Sequence, residues 1–199
     1  RGTATNALAD HVSPEYYVRA SNLAAVIVAS KQFDRAMPAG PIATGAGLDI
    51  KTFAGYLPNM PAKDCTAVIE ALHDANESCG GKYNVVIPDH IDHSTGSTDY
   101  GDVSSLMPTV QFNTSGFSGV LHSPSVRVTD EYLAYVVTAK VFALAGYKLL
   151  KNGGNYAKAM LDSYQALMTK EEYIKYMDSM MSSEHMDMNP LPLLDDIKR

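Results

Sequence analysis

Cysteine is scarce. The chain has two in 199 residues, Cys65 and Cys79, fourteen apart. So sparse a pair builds no disulfide framework, and reduced thiols in a cytoplasmic protein are the expectation. Basic charge is also short: sixteen Lys and Arg against twenty-two Asp and Glu leave a net charge of −6. With no arginine-rich run or basic patch, nucleic acid is not an expected partner. No apolar run approaches the ~18 residues of a membrane span, so no membrane partner is expected either. No signal peptide opens the chain, and Arg1 reads as the middle of a longer sequence. A Walker A loop is absent, the glycines at 45 and 47 lack the strand–loop–helix setting of a dinucleotide site, and no G-x-S-x-G elbow occurs.

What is present reads as globular. The chain is 46% hydrophobic and 19% charged, richer in apolar residues than a disordered chain. At this length roughly 70% of the unfolded surface can be buried. Val12 to Ala20, rich in valine and tyrosine, predicts a strand pair or bent strand. Ser21 or Asn22 can cap a helix carrying Leu23, Val26, Ile27 and Phe33, which Pro38, Gly40 and Pro41 end. Alternation at Leu48, Ile50 and Thr52 predicts a strand within 47–56. Pro58 and Pro61 mark a junction between two structural units. A helix follows, with Cys65, Val68, Ile69, Leu72 and Ala75 on one face, stopped by Gly80 and Gly81.

Tyr83 to Pro88 predicts a buried strand, residues 89–102 a long polar loop, and Thr109 to Asn113 another strand. Thr129, with Asp130 and Glu131 in the first turn, caps a helix to about Leu150 that is apolar nearly all round and so expected to be buried. Tyr156 to Met168 predicts an amphipathic helix. Thr169 with Glu172 forms a capping box for another. From Ser182 onward a loosely held tail is expected. Strands alternating with helices give an α/β class.

The residues able to do chemistry concentrate between Pro88 and Pro124. Asp89, His90, Asp92, His93, Asp99, Asp102 and His122 lie there, including half of the six histidines. His90 and His93, three apart with Asp89 and Asp92 beside them, are donor types that suit zinc or manganese, although a solvated loop has the same composition. His122 stands between a Gly-rich loop and Ser123-Pro124, at the entry to the long helix, where α/β proteins build sites. A structural histidine reads the same way. Asn6 and Arg19 lie thirteen apart; an amide with a guanidinium makes a carboxylate clamp, and a turn asparagine with a surface arginine is the bland equivalent. The methionines near the end, Met177 to Met188, read as packing or tail.

Three stretches together resemble one family. Gly96 to Phe112 (GSTDYGDVSSLMPTVQF), Leu121 to Leu133 (LHSPSVRVTDEYL) and Arg1 to Arg19 (RGTATNALADHVSPEYYVR) are similar to the co-catalytic metallohydrolases. That family includes carboxypeptidase G, aminoacylases and N-acyl amino acid amidohydrolases, and the branch most resembled is the aminobenzoyl-glutamate hydrolase type. The likeness covers about residues 1–150. It implies part of a two-domain metallopeptidase-type fold: residues 1–58 as the second half of a lid and dimerisation domain, 59–150 as the second half of an α/β/α catalytic domain, and 151–199 as a helical extension without counterpart. Where the family has Ile-Pro after the lid asparagine, this chain has Ala7-Leu8.

The resemblance further implies hydrolysis of the amide bond of an N-acyl or aminobenzoyl amino acid, or a dipeptide, by a water activated between two divalent metals, zinc or manganese. His122 would be a metal ligand. Asn6 and Arg19 would hold the substrate carboxylate or the oxyanion, and the lid would make a homodimer. Asp99 and Asp102 would hold loop structure. Family members are about twice as long, and their His-x-Asp pair, bridging Asp and Glu-Glu pair are not in this sequence. The 199-residue chain by itself is therefore expected to be inactive. Two alternatives stand beside this reading: a non-catalytic dimerisation or scaffold module, and a small metal-binding domain built on His90 and His93.

Overall fold

The computed structural model describes residue 9 and residues 11–88 and 96–187. The chain combines helices with small antiparallel sheets, compatible with an α/β class. It divides into two compact units: residues 1–52 with 182–199, and residues 53–181.

The first unit holds α1 (Leu23–Ala36), α2 (Ala39–Thr44), β1 (Gly47–Thr52) and β4 (Ser182–Asp187). The Asn22 side chain accepts the Ala25 N–H at 3.0 Å and starts α1. Val12 to Ala20 is irregular rather than a strand. Within it Tyr16 packs on Phe33 of α1, with ring centroids 5.2 Å apart. β1 alternates outward and half-buried residues, as its sequence predicts. Its partner was not expected: the segment after Ser182 is no loose tail but strand β4, pairing antiparallel to β1 from Gly47↔Asp187 to Thr52↔Ser182. Across that pair the His185 imidazole meets the Asp49 carboxylate, Nδ1 to Oδ1 2.7 Å. No described residue of this unit's helices or strands is fully buried.

The second unit has α3 (Thr66–Glu77), α4 (Tyr100–Leu106), β2 (Phe117–Ser118), β3 (Arg127–Val128), a π-helical stretch (Tyr132–Val137) running into α5 (Thr138–Leu150), α6 (Asn155–Asp162) and α7 (Lys170–Ser179). Its core is α3 against α5: Val68, Ala71 and Ala75 meet Val137, Val141 and Ala145. Small residues at successive turns of α3 let the two helices approach closely. α3 begins at Thr66, just after Cys65. The Asp64 carboxylate accepts the Thr66 N–H at 3.0 Å and fixes that start. Pro58 and Pro61 lie inside this unit, because the Leu57 N–H donates to Asp102 Oδ1 (2.9 Å), Met60 N–H to Ser104 Oγ (2.9 Å) and Ala62 N–H to the Thr109 carbonyl (2.8 Å).

Lys148 is nearly buried, its side chain 8% exposed, and its ammonium bridges Asp74 (2.6 Å) and Glu70 (3.0 Å) of α3. Tyr156 of α6 donates to the same Glu70. The capping box forms as its sequence predicts: Thr169 Oγ1 accepts the Glu172 N–H and Glu172 accepts the Thr169 N–H.

Three expectations for this unit fail. The long helix is not buried all round: Val137, Val141 and Ala145 face the core, while Phe142 is 65% and Leu150 80% exposed. By length and composition alone, Tyr132–Leu150 is apolar enough to cross a membrane, although polar residues interrupt it. One side of it packs on α3 through Val137, Val141 and Ala145, and Lys148 pairs with Asp74 and Glu70 of that helix. Finally, 83–88 and 109–113 are extended but are not strands of any sheet. Tyr83, Val110 and Phe112 pack on the core, with Val86 71% exposed. No backbone group of 84–88 or 110–113 finds a hydrogen-bond partner among the described residues. A strand exists only with a ladder partner.

Candidate functional site

The β2–β3 hairpin and its loop, 119–126, present His122. Two glycines make the hairpin possible. Gly116 has φ +102°, and a Cβ there would lie 2.7 Å from the Asp130 carbonyl oxygen. Gly119 has φ +99°, and a Cβ there would lie 2.3 Å from the Ser125 carbonyl oxygen. At both, backbone approaches backbone too closely for any side chain. Inside the loop, Ser125 Oγ accepts the Val120 N–H (3.0 Å) and meets Ser123 Oγ at 2.5 Å, while Ser123 Oγ accepts the Ser125 N–H (3.1 Å). The Arg127 guanidinium donates to the Pro124 and Val126 carbonyls.

Between these braces His122 takes φ +61°, one of two non-glycine residues with positive φ among those described. Its side chain is exposed. A left-handed conformation costs an L-residue roughly 1–2 kcal/mol, and a residue held there against that cost merits a functional hypothesis.

The loop is anchored where it leaves for the helix. Thr129 and Asp130 N–H groups both donate to the Gly116 carbonyl, at 2.8 and 3.2 Å. Asp130 Oδ1 accepts the Leu133 N–H at 2.9 Å, so the cap is Asp130 rather than Thr129. That hydrogen bond, helped by the nearby Lys82 ammonium, holds the Asp130 carboxyl below its ordinary pKa.

The other candidates fall as follows. Asp102 is structural in its contacts: its carboxylate holds the Leu57 N–H, and burial pushes its pKa above the ordinary aspartate value. Asp99 Oδ1 accepts from Thr98 Oγ1 at 2.8 Å, at the start of α4. Arg19 is exposed in the first unit, its guanidinium 5.3 Å from the Tyr17 ring centroid. Asn6, Asp89, His90, Asp92 and His93 lie outside the described residues.

Among the described residues no group of three or more His, Cys, Asp and Glu side chains is placed to hold a metal ion. His122 is a single imidazole donor, and the described residues do not complete a metal site around it.

A polar cluster that the sequence could not reveal sits at the C-terminal end of α3. There Cys79 meets Ser78, Tyr132 and Lys140. Lys140 stands sixty-one positions from Cys79, and no spacing rule links them.

No protein-family model, no curated protein and no solved structure matches this chain.

Proposed function

We propose that this chain is the closing part of a metal-dependent amidohydrolase acting on small amides that carry a carboxylate, such as N-acyl or aminobenzoyl amino acids or dipeptides. In this reading the chain supplies part of a two-domain metallopeptidase-type fold. His122 contributes one imidazole to a site for divalent metal, zinc or manganese, whose remaining ligands and general base come from outside the described residues. Asn6 and Arg19 take the substrate carboxylate, the guanidinium through two parallel hydrogen bonds, and the first unit makes the homodimer contact.

The observation that carries the proposal is His122 itself: an exposed imidazole kept at φ +61° on a loop braced by serine and glycine contacts. The order of the three resembling motifs supports it. So do the extended segments 83–88 and 109–113, of which 84–88 and 110–113 have backbone groups without partners among the described residues, as segments completed by strands from elsewhere would be.

A scaffold or dimerisation role is the second reading. It is favoured by the lack of a converging ligand set around His122 among the described residues. Metal content and amide turnover of the assembled enzyme separate the two. His122→Ala lowers both in the first reading and neither in the second. Arg19→Ala lowers turnover and leaves metal in place, since a clamp residue does not touch the ion. His90→Ala and His93→Ala leave metal content near the parent value; loss of metal in these variants instead would favour the small metal-binding domain.

A further inference from the structure

Between Glu131 and Lys151 the outward face of the π-helical stretch and α5 has no free charge. The charged residues in that span are Lys140 and Lys148. Lys148 is buried against Asp74 and Glu70 of α3, and Lys140 reaches Ser78 just after α3 and the Tyr132 hydroxyl. What remains outward is apolar or aromatic. Tyr135 is 58% and Tyr147 64% exposed, in line with the exposed Phe142 and Leu150 and with Tyr132 and Val136 beside them. Taking ~200 Å² for a large side chain, these six present on the order of 700 Å², close to the ~800 Å² per partner of a specific interface. A helix face turned to water ordinarily carries charge, and a contiguous apolar patch of this size marks an interaction surface.

Gly146 is an independent clue. It stands inside α5, and a Cβ there would meet nothing within 4 Å. Close backbone contacts inside the chain require Gly101, Gly116 and Gly119, but none requires Gly146. A glycine in a helix interior costs stability relative to alanine. Open space outside it is room for another helix to approach.

The face also matches itself when reversed. Set against an antiparallel copy, with the two-fold axis at the level of Val141, Tyr132 stands opposite Leu150 and Tyr135 opposite Tyr147. Val136 then stands opposite Gly146, and Ala139 opposite Ala143. Aromatic meets aromatic, and the small residues fall where the helices cross. At each end Glu131 of one copy faces Lys151 of the other. Glu131 is exposed, and Lys151 Nζ lies 5.5 Å from the Tyr147 ring centroid, at the end of the same face. Among the described residues neither forms an ion pair within the chain. Self-complementarity of this kind is what a two-fold contact between identical chains demands. A lipid surface would call instead for lysines and arginines free along the helix.

We propose that this face pairs two copies of the chain through antiparallel helices, in a contact separate from the one assigned to the first unit. It makes no use of His122 or of a metal, so either reading can fail without the other.

The test combines disulfide mapping of introduced cysteines with sedimentation equilibrium and vesicle flotation of the full chain. Ala139→Cys chains mixed with Ala143→Cys chains link to each other under mild oxidation, more readily than either links to itself. Tyr135→Glu weakens association about tenfold or more. Gly146→Leu adds apolar surface and yet weakens association about tenfold, because the new side chain meets Val136 of the other copy; mere stickiness would strengthen it. Glu131→Lys and Lys151→Glu each weaken it about threefold, and the two together restore it. Far-UV circular dichroism checks that each variant folds, and the cysteine mixture decides alone if one does not. The proposal is overturned if the mixed chains link no better than either alone, or if Gly146→Leu associates as tightly as the parent or more so. It is equally overturned if the chain stays monomeric at about 100 µM or floats with phosphatidylcholine–phosphatidylserine vesicles instead of pairing.

Discussion

Replacing His122 by glycine should remove the proposed ligand and leave the fold intact or more stable. The magnitude follows from the backbone. At φ +61° an L-residue carries roughly 1–2 kcal/mol of strain, and histidine tolerates the region better than most. Glycine abolishes the strain but loses about 0.5–1 kcal/mol to its freer unfolded chain. The exposed imidazole gives up little packing. The net for His122→Gly is a stabilisation of about 0–1 kcal/mol. His122→Val places a β-branched residue where such residues are outliers, so it should be about 1–2 kcal/mol less stable than the glycine variant. Urea unfolding at equilibrium, compared across His, Gly, Asn and Val, reads the series. The reasoning is refuted if valine is as stable as glycine, which would mean the backbone is not left-handed there. It is equally refuted if glycine costs more than about 1 kcal/mol, which would mean the ring holds the fold.

Lys148→Met should destabilise the second unit. It strands two carboxylates, but Glu70 and Asp74 keep 39% and 46% of their side-chain surface, so the loss is set at about 1–3 kcal/mol, below the range for fully buried pairs. The Asp74 hydrogen bond, then that of Glu70, raises the pKa of Lys148. The difference from wild type in urea melts should therefore hold below the ordinary lysine pKa and shrink as pH rises through the raised one. Glu172 is shifted the other way, chiefly by the Thr169 N–H: its contribution is present above the ordinary glutamate pKa and lost as pH falls through the lowered value. Glu172→Gln should flatten that acid limb in far-UV circular dichroism. Gly101→Ala sets a Cβ 1.8 Å from the Leu57 carbonyl oxygen; the clash is with backbone, and a loss of about 2–4 kcal/mol in thermal or urea melts is expected.

Local grammar was readable where one segment specifies itself. The α3 face from Val68 to Ala75, the Asn22 cap and the Thr169–Glu172 box all need only their own neighbours in sequence. What needed a distant partner was not readable. β4 looks like a tail until β1 supplies its ladder. Segments 83–88 and 109–113 have strand-like sequences and no ladder. α4, seven residues of Tyr, Gly, Asp, Val, Ser and Leu, has weak intrinsic helix preference. It is held by tertiary contacts: Gly101 against Leu57, Asp102 and Ser104 on the 57–60 backbone, and the Ser104 carbonyl accepting from Tyr164. His122 could be ranked first only by adding the resemblance to the metallohydrolases to its place between a Gly-rich loop and a helix start; that place alone fits a structural histidine equally well. Its left-handed backbone could not be foreseen, because the Ser125 and Gly119 contacts that impose it are set by the hairpin register.

The most direct test of the central claim is metal stoichiometry in the assembled enzyme, with His122→Gly beside wild type and amide turnover recorded on the same samples. Removing one imidazole from a metal's inner sphere should lower occupancy and turnover together, while urea stability stays level or rises. A His122→Gly protein that keeps the wild-type metal content and turnover would contradict the assignment of His122 as a ligand.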